Sequence, residues 1–168
     1  MQPIQDSPGI FEVLVRHDVR FVVIGGFAAI LQGSPFPTED ADITPDRSVD
    51  NLERLSNALG ELEARVYTID APEGLPFAHS ASSLGGSAVW NLVTSRGRVD
   101  ISFVPNGTTG FSDLDSDALT IQLRGVDIRV ASLADIIRSK QAANRPKDQR
   151  VLPTLREILA SRHPKNQR

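Results

Sequence analysis

The chain has 168 residues, no cysteine and a net charge of −3; that length fits one domain, and the missing thiols exclude disulfides and zinc–thiolate sites. Its longest apolar run, FVVIGGFAAIL, spans 11 residues against the roughly 20 that a membrane span needs. The start, MQPIQDSPGI, carries neither a basic nor an apolar leader region, so a cytoplasmic protein without a membrane partner is expected.

Ile10, Val13 and Leu14 share one face of a short first helix. Phe21 to Ile24 reads as a buried strand, broken by Gly25-Gly26, and Phe27 to Leu31 as a short apolar helix ending near Gly33. Pro35 and Pro37 mark a loop, and Ala41-Asp42-Ile43 begins a second strand. Ser48 is placed to cap a helix whose apolar positions, Val49, Leu52, Leu55, Leu59 and Leu62, follow helical spacing. Val66 to Ile69 predicts a strand, and residues 71–87, rich in Pro, Gly, Ser and Ala, a loop. Two hairpins follow: Val89–Thr94 with Arg98–Phe103, joined through Arg96-Gly97, and Thr120–Leu123 with Val126–Val130, turning at Arg124-Gly125. Ser132, with Asp135 three residues on, has the spacing of a capping box. A last helix is expected from about Pro146 to Leu159, with Pro153 kinking it or marking its true start. Alternation followed by clustered strands and closing helices predicts an α/β (α+β) fold with one mixed sheet flanked by helices. Residues 1–131 form the expected core, and residues 132–168 a short C-terminal helical segment packed on it as one domain.

Charge is divided along the chain. Residues 1–137 hold 9 basic and 19 acidic side chains, net −10, and residues 138–168 hold 9 basic and 2 acidic, net +7. A basic end on an acidic body suits a polyanionic partner, and it equally suits a helix docked on its own acidic body.

The carboxylates carry the chemistry. Asp40 and Asp42 are two apart, and positions i and i+2 of a strand share a face. Val99, Ile101 and Phe103 alternate with Asp100 and Ser102, so Asp100 faces away from the core its neighbours enter. Like charges held together repel, and a divalent cation reverses that sign. Oxygen ligands of this kind suit Mg²⁺, which takes a few carboxylates plus substrate phosphates. Gly25-Gly26, between a strand and a helix, offers free backbone N–H groups of the kind that hold phosphate. Trp90, on an apolar strand, reads as core more readily than as a base-stacking platform, and His17, His79 and His163 stand isolated.

The segments VVIGGFAAILQGSPFPTEDADITP, VWNLVTSRGRVDISF and ASLADIIRSKQAANRPKDQRVLPTLREIL together resemble the DNA polymerase beta-type nucleotidyltransferase superfamily. Within it they resemble the small AbiEii-like and MenT-like branch of toxin–antitoxin toxins. The likeness covers residues 8–160. It implies the nucleotidyltransferase fold and transfer of a nucleoside monophosphate from an NTP to an acceptor hydroxyl with Mg²⁺ (or Mn²⁺). It maps the catalytic and metal-binding carboxylates onto Asp40, Asp42 and Asp100, and nucleotide contacts onto Gly25 and Gly26. Lys140 and Lys147 are further candidates for triphosphate contact, and Arg145, Ser34 and Thr38 weaker ones. Two positions depart from the superfamily pattern: Gly26 stands where many relatives have serine, and Phe36 where many have arginine. The resemblance points to tRNA as acceptor and to a cognate antitoxin as partner. Transfer to a small molecule such as an aminoglycoside, transfer to protein, and a non-enzymatic nucleotide-binding module are the alternatives.

Overall fold

The computed structural model describes residues 3–162. In chain order the elements are α1 (Ser7–Arg16), β1 (Phe21–Ile24), α2 (Gly25–Ile30), β2 (Ala41–Pro45), α3 (Val49–Glu61), β3 (Arg65–Val66), α4 (Ala81–Gly85), β4 (Val89–Thr94), β5 (Gly97–Ser102), α5 (Phe111–Ser116), β6 (Leu119–Leu123), β7 (Val126–Val130), α6 (Leu133–Ala143) and α7 (Pro146–Arg162). The seven strands form one sheet in the order β3-β4-β5-β2-β1-β7-β6. It is mixed: β2 runs parallel to β5 and β1 to β7, while the other neighbours are antiparallel. This is the α/β architecture expected from the alternation of elements. No helix among the described residues is long and apolar enough to cross a membrane.

One core joins the sheet to its helices. Ile10, Phe11, Val13 and Leu14 of α1 and Leu52, Leu55 and Leu59 of α3 are buried in it, with Ile136 and Ile137 of α6 and Leu152 and Leu155 of α7. Helix α7 runs through Pro153. That ring forfeits one helical bond, and the burial of Leu152 and Leu155 around it keeps the helix in place. The N-terminal segment straps the first hairpin. Gln5 accepts the Arg98 N–H at 2.7 Å and donates to the Arg98 carbonyl at 2.9 Å. Asp6 donates its N–H to the Arg96 carbonyl and pairs with Arg124 at 2.9 Å.

Several local expectations are corrected. Only Arg65–Val66 forms the third strand; Tyr67 still donates its N–H to the Asn91 carbonyl at 2.9 Å, and the chain then turns back so that Leu75 pairs with Val66. The 71–87 stretch is not all loop: Ser80 and Ser83 make a reciprocal capping box that opens α4. Helix α5, in polar sequence, was not expected at all. Val49 is 65% exposed rather than inward, and the Ser48 hydroxyl bonds Asp46 instead of capping α3. In the first hairpin the two-residue turn is Ser95-Arg96, one residue earlier than the sequence suggests, with Thr94 opposite Gly97. The Thr94 hydroxyl fixes it by accepting the Arg96 N–H and donating to the Gly97 carbonyl. The second hairpin turns at Arg124-Gly125 as expected, both residues with positive φ, the geometry favoured in two-residue hairpins.

Asn51, fully buried on α3, ties the ends of β1 and β2 together. It accepts the Arg20 N–H at 2.7 Å and donates to the carbonyls of Arg20 at 3.0 Å and Asp46 at 2.7 Å. Replacing it with leucine takes these partners from the Arg20 N–H and the Asp46 carbonyl, while the Arg20 carbonyl still accepts the Asp46 N–H at 3.0 Å. Asn51→Leu is therefore expected to lower the unfolding free energy by about 3 kcal/mol, measured by urea denaturation.

Candidate active site

The sheet order brings the distant carboxylates together. β2 lies beside β5 in parallel register with Asp42 opposite Asp100, and β1 lies on the other side with Ile24 opposite Asp42. Asp40 ends the loop that enters β2. Oxygens of Asp40, Asp42 and Asp100 all lie within 4.8 Å of one another. Burial, reinforced by the charge of Asp40, pushes the Asp42 carboxyl up to about 7. Burial, a hydrogen bond shared with Asp40 and the charges of Asp40 and Asp42 push Asp100 up to about 8, against the opposing pull of Arg98. Arg98 stands 3.6 Å from Asp100 and stacks on the Tyr67 ring at 3.8 Å.

The glycine turn is shaped around these groups. Gly25 has φ +71, and a Cβ there would collide with the Asp42 carboxylate, so this position needs glycine both for its backbone angle and for the approach of Asp42. A Cβ on Gly26 would come within 2.9 Å of the Thr38 hydroxyl. No side chain caps the first turn of α2. Helix α2 has only six residues, so its backbone N–H groups matter more than its dipole.

Across the cleft stand the cations. Asp148, fully buried at the start of α7, bonds Arg145 at 2.7 Å and pairs with Lys140 at 3.6 Å. Burial works against the Asp148 charge, and the bonds from Arg145 outweigh it, holding its carboxyl below the usual range. Lys140, Lys147 and Arg145 all act to stabilise the Asp42 charge, against its burial. The cleft encloses about 760 Å³. Every residue singled out from the sequence lines it: the two glycines, Ser34, Thr38, the three aspartates, Lys140, Arg145 and Lys147. Two of the weaker candidates also have local roles, since Ser34 accepts the Phe36 N–H and Thr38 donates to the Asp40 carbonyl at 3.4 Å.

The carboxylates fit a divalent cation. Three acceptor groups converge, burial reinforced by their mutual repulsion raises two of their pKa values, and the buried Oδ1 of Asp100 has no hydrogen-bond partner among the described residues. Hard oxygen donors of this kind suit Mg²⁺ or Mn²⁺. Trp90 is not in the cleft; it packs on Phe77 and donates to the Leu84 carbonyl at 2.9 Å, the core role expected for it. His163, Lys165 and Arg168 lie outside the described residues. Sequence reading missed Asn91, Ser102 and Asn106 as cleft residues. The register of the first hairpin would have found Asn91, which sits directly opposite Asp100.

No protein-family profile and no curated protein sequence matches the chain. Solved structures do. The lincosamide antibiotic adenylyltransferase LnuA, lincomycin-bound, aligns with a TM-score of 0.61 at 12% identity, covering 94% of this chain and 99% of that one. ANT(2'')-Ia in complex with adenylyl-2''-tobramycin aligns with a TM-score of 0.52 at 14% identity, covering 90% and 84%. A Thermotoga maritima protein described as a candidate nucleotidyltransferase aligns with a TM-score of 0.51 at 19% identity, covering 91% and 89%. The fold is that of the nucleotidyltransferases. Within this nucleotidyltransferase fold the carboxylates and the cations meet across a single cleft.

The raised pKa values set a pH dependence. With Asp42 near 7 and Asp100 near 8, against about 4 for a free carboxylate, the folded state holds protons that the unfolded chain has released. The stability tied to these protons is full below about pH 4 and is lost as pH rises through 7 to 8. Asp42→Asn removes one of the repelling charges. It is expected to raise the melting temperature in EDTA at pH 8.5 by about 3 °C or more, with the gain shrinking toward pH 5. Thermal denaturation of both proteins across that range checks the sign.

Proposed function

We propose that the chain is an enzyme that transfers a nucleoside monophosphate from an NTP to an acceptor hydroxyl. The observation that carries this reading is the three-carboxylate cluster facing Lys140, Arg145 and Lys147 across one cleft beside a glycine turn. Asp40, Asp42 and Asp100 are the residues that would hold Mg²⁺ or Mn²⁺. Bound there, such ions neutralise phosphate charge and lower the pKa of a coordinated hydroxyl. The backbone at Gly25-Gly26 receives the triphosphate, helped by Thr38 and Ser34 at the rim. Lys140 and Lys147 meet it as point charges. Asp100, at the β5 end of the cluster, takes the acceptor's proton. The acceptor oxygen bonds the α-phosphorus as the bond to the β-phosphate breaks, and pyrophosphate leaves. The expected division at residue 131 is read as internal to one domain, since among the described residues α6 and the start of α7 supply the cationic wall.

Two acceptor classes follow from different observations. Arg150 and Arg156 are exposed and form no ion pair among the described residues, which supports an RNA acceptor and, with the sequence resemblance, a tRNA-directed toxin with an antitoxin partner. Arg138, Arg145 and Arg162 are instead engaged within the chain, by Asp113 and Asp135, by Asp148 and by Gln32. That internal use of positive charge favours a small-molecule acceptor, as for the antibiotic-modifying proteins that share the fold.

Incubation with each α-labelled NTP, Mg²⁺, and either total tRNA or a panel of hydroxyl-bearing small molecules tests the reading. Asp100→Asn is expected to keep NTP binding and to lower single-turnover transfer about 100-fold or more; full transfer by this variant would remove Asp100 from the reaction. If RNA is labelled, the paired substitution Arg150→Ala and Arg156→Ala is expected to weaken RNA binding and flatten its salt dependence, read from filter binding between low and moderate salt.

A further inference from the structure

Resting on the transfer reading, we infer that the cleft wall formed by β4 and the end of β5 is an acceptor site for an uncharged, hydroxyl-bearing small molecule with an apolar body. The antiparallel register of β4 and β5 pairs Asn91 with Asp100 and Val89 with Ser102. Residues opposite each other in such a pair share a face. Positions 100 and 102 share that face by the alternation of the strand, and Val104 follows two residues beyond. All five residues line the cleft.

The order of chemistry along this wall is graded. Beside Asp100 stand Asn91 and Ser102, whose side chains make no hydrogen bond among the described residues. Beyond them stand Val89 and Val104, 49% and 54% exposed. Asparagine is disfavoured in strands, and the other face of β4 at this point packs normally, through Trp90 and the buried Leu92. Val89 and Val104, on the cleft lining, likewise leave about half of their apolar surface in water. Both choices make sense if an acceptor lies along the wall, its hydroxylated end at Asn91 and Ser102 and its apolar part on Val89 and Val104.

Charge narrows the class further. The cations that line the cleft, Lys140, Arg145 and Lys147, come from α6 and the turn into α7, on the donor side. Among the described residues the charged residue that lines the cleft on the β4–β5 wall is Asp100, which belongs to the carboxylate cluster; Arg98, two residues before it on the same face of β5, is held 3.6 Å from Asp100 and stacked on Tyr67, and does not line the cleft. On this wall a polyanionic acceptor meets only Arg98 nearby, already paired with Asp100, and a polycationic one meets only Asp100, already committed to the cluster; Glu39 and Asp135, which also line the cleft, stand on other segments.

The test uses the full chain with Mg²⁺, α-labelled NTP and three kinds of probe acceptor: methyl, butyl and hexyl glucoside as an uncharged series, tobramycin as a polycation, and total tRNA as a polyanion. Label is expected on the glucosides, with kcat/KM rising with chain length by up to about fourfold per methylene that reaches the valines. Asn91→Ala is expected to raise the glucoside KM about three- to tenfold, the range for one neutral hydrogen bond, with the NTP dissociation constant unchanged. Val104→Ser is expected to flatten the chain-length dependence, read as the ratio of hexyl to methyl glucoside kcat/KM. Both positions are exposed, and matched melting temperatures show that the variants fold. Transfer to tobramycin or tRNA without transfer to the glucosides, or a response flat with chain length, overturns the acceptor class while the transfer reading stands. No label on any of the three kinds of acceptor, with or without NTP binding, overturns the parent transfer reading instead, so the two failures are separable.

Discussion

Two carboxylates held against each other on adjacent parallel strands are the constraint around which the rest of the structure is arranged. The β2–β5 pairing places Asp42 opposite Asp100, and Asp40 joins them. A fold gains nothing by gathering negative charge where water is partly excluded. The surrounding features each reduce that cost or exploit it. Gly25 gives Asp42 the room that a side chain would deny. Arg98 backs Asp100 from outside the cleft, and three cations face the cluster from across it. Natural chains keep such local conflicts where they serve a site.

The buried Asp148 does the corresponding work on the cationic wall. Lys140 and Arg145 would repel each other and spread into solvent if left alone. Their common carboxylate holds both at one point and leaves Lys140 only 18% exposed at its side chain. The basic C-terminal segment therefore divides. Part of its charge builds the cleft, part clamps α6 to the loop after β5 through Arg138, and part stands free in solvent at Arg150 and Arg156. Summed charge along the sequence could not show this division, because it depends on which acidic residue each arginine meets.

Much of the site was legible in the sequence because short-range periodicity governs it. The i, i+2 spacing of Asp40 and Asp42 and the alternation around Asp100 assign faces without any knowledge of the fold. What alternation cannot state is strand order, and only the neighbouring of β5 and β2 turns three facing carboxylates into one cluster. Asn91 escaped for a smaller reason. A turn at Arg96-Gly97 would set Val93 opposite Asp100, whereas the turn at Ser95-Arg96 sets Asn91 there. Helix α4 was hidden because its signal is two serines three apart in a stretch already full of serine and glycine. Helix α5, FSDLDS, buries chiefly Leu114 and so shows no period at all.

The positions that make up the cleft are scattered from one end of the fold to the other. Gly25 and Gly26 come early, Asp100 in the second half, and Lys140 and Lys147 near its close. The buried Gln32 side chain, which bonds the Ala131 carbonyl at 2.8 Å, joins the first part to the last. Contacts so distant in sequence form late, after the loop entropy between them has been overcome. During synthesis the glycine turn and all three aspartates would leave the ribosome well before the wall that faces them. A nascent chain would then carry the carboxylates without their cationic counterpart, and the cleft would stay open on that side until α6 and α7 docked.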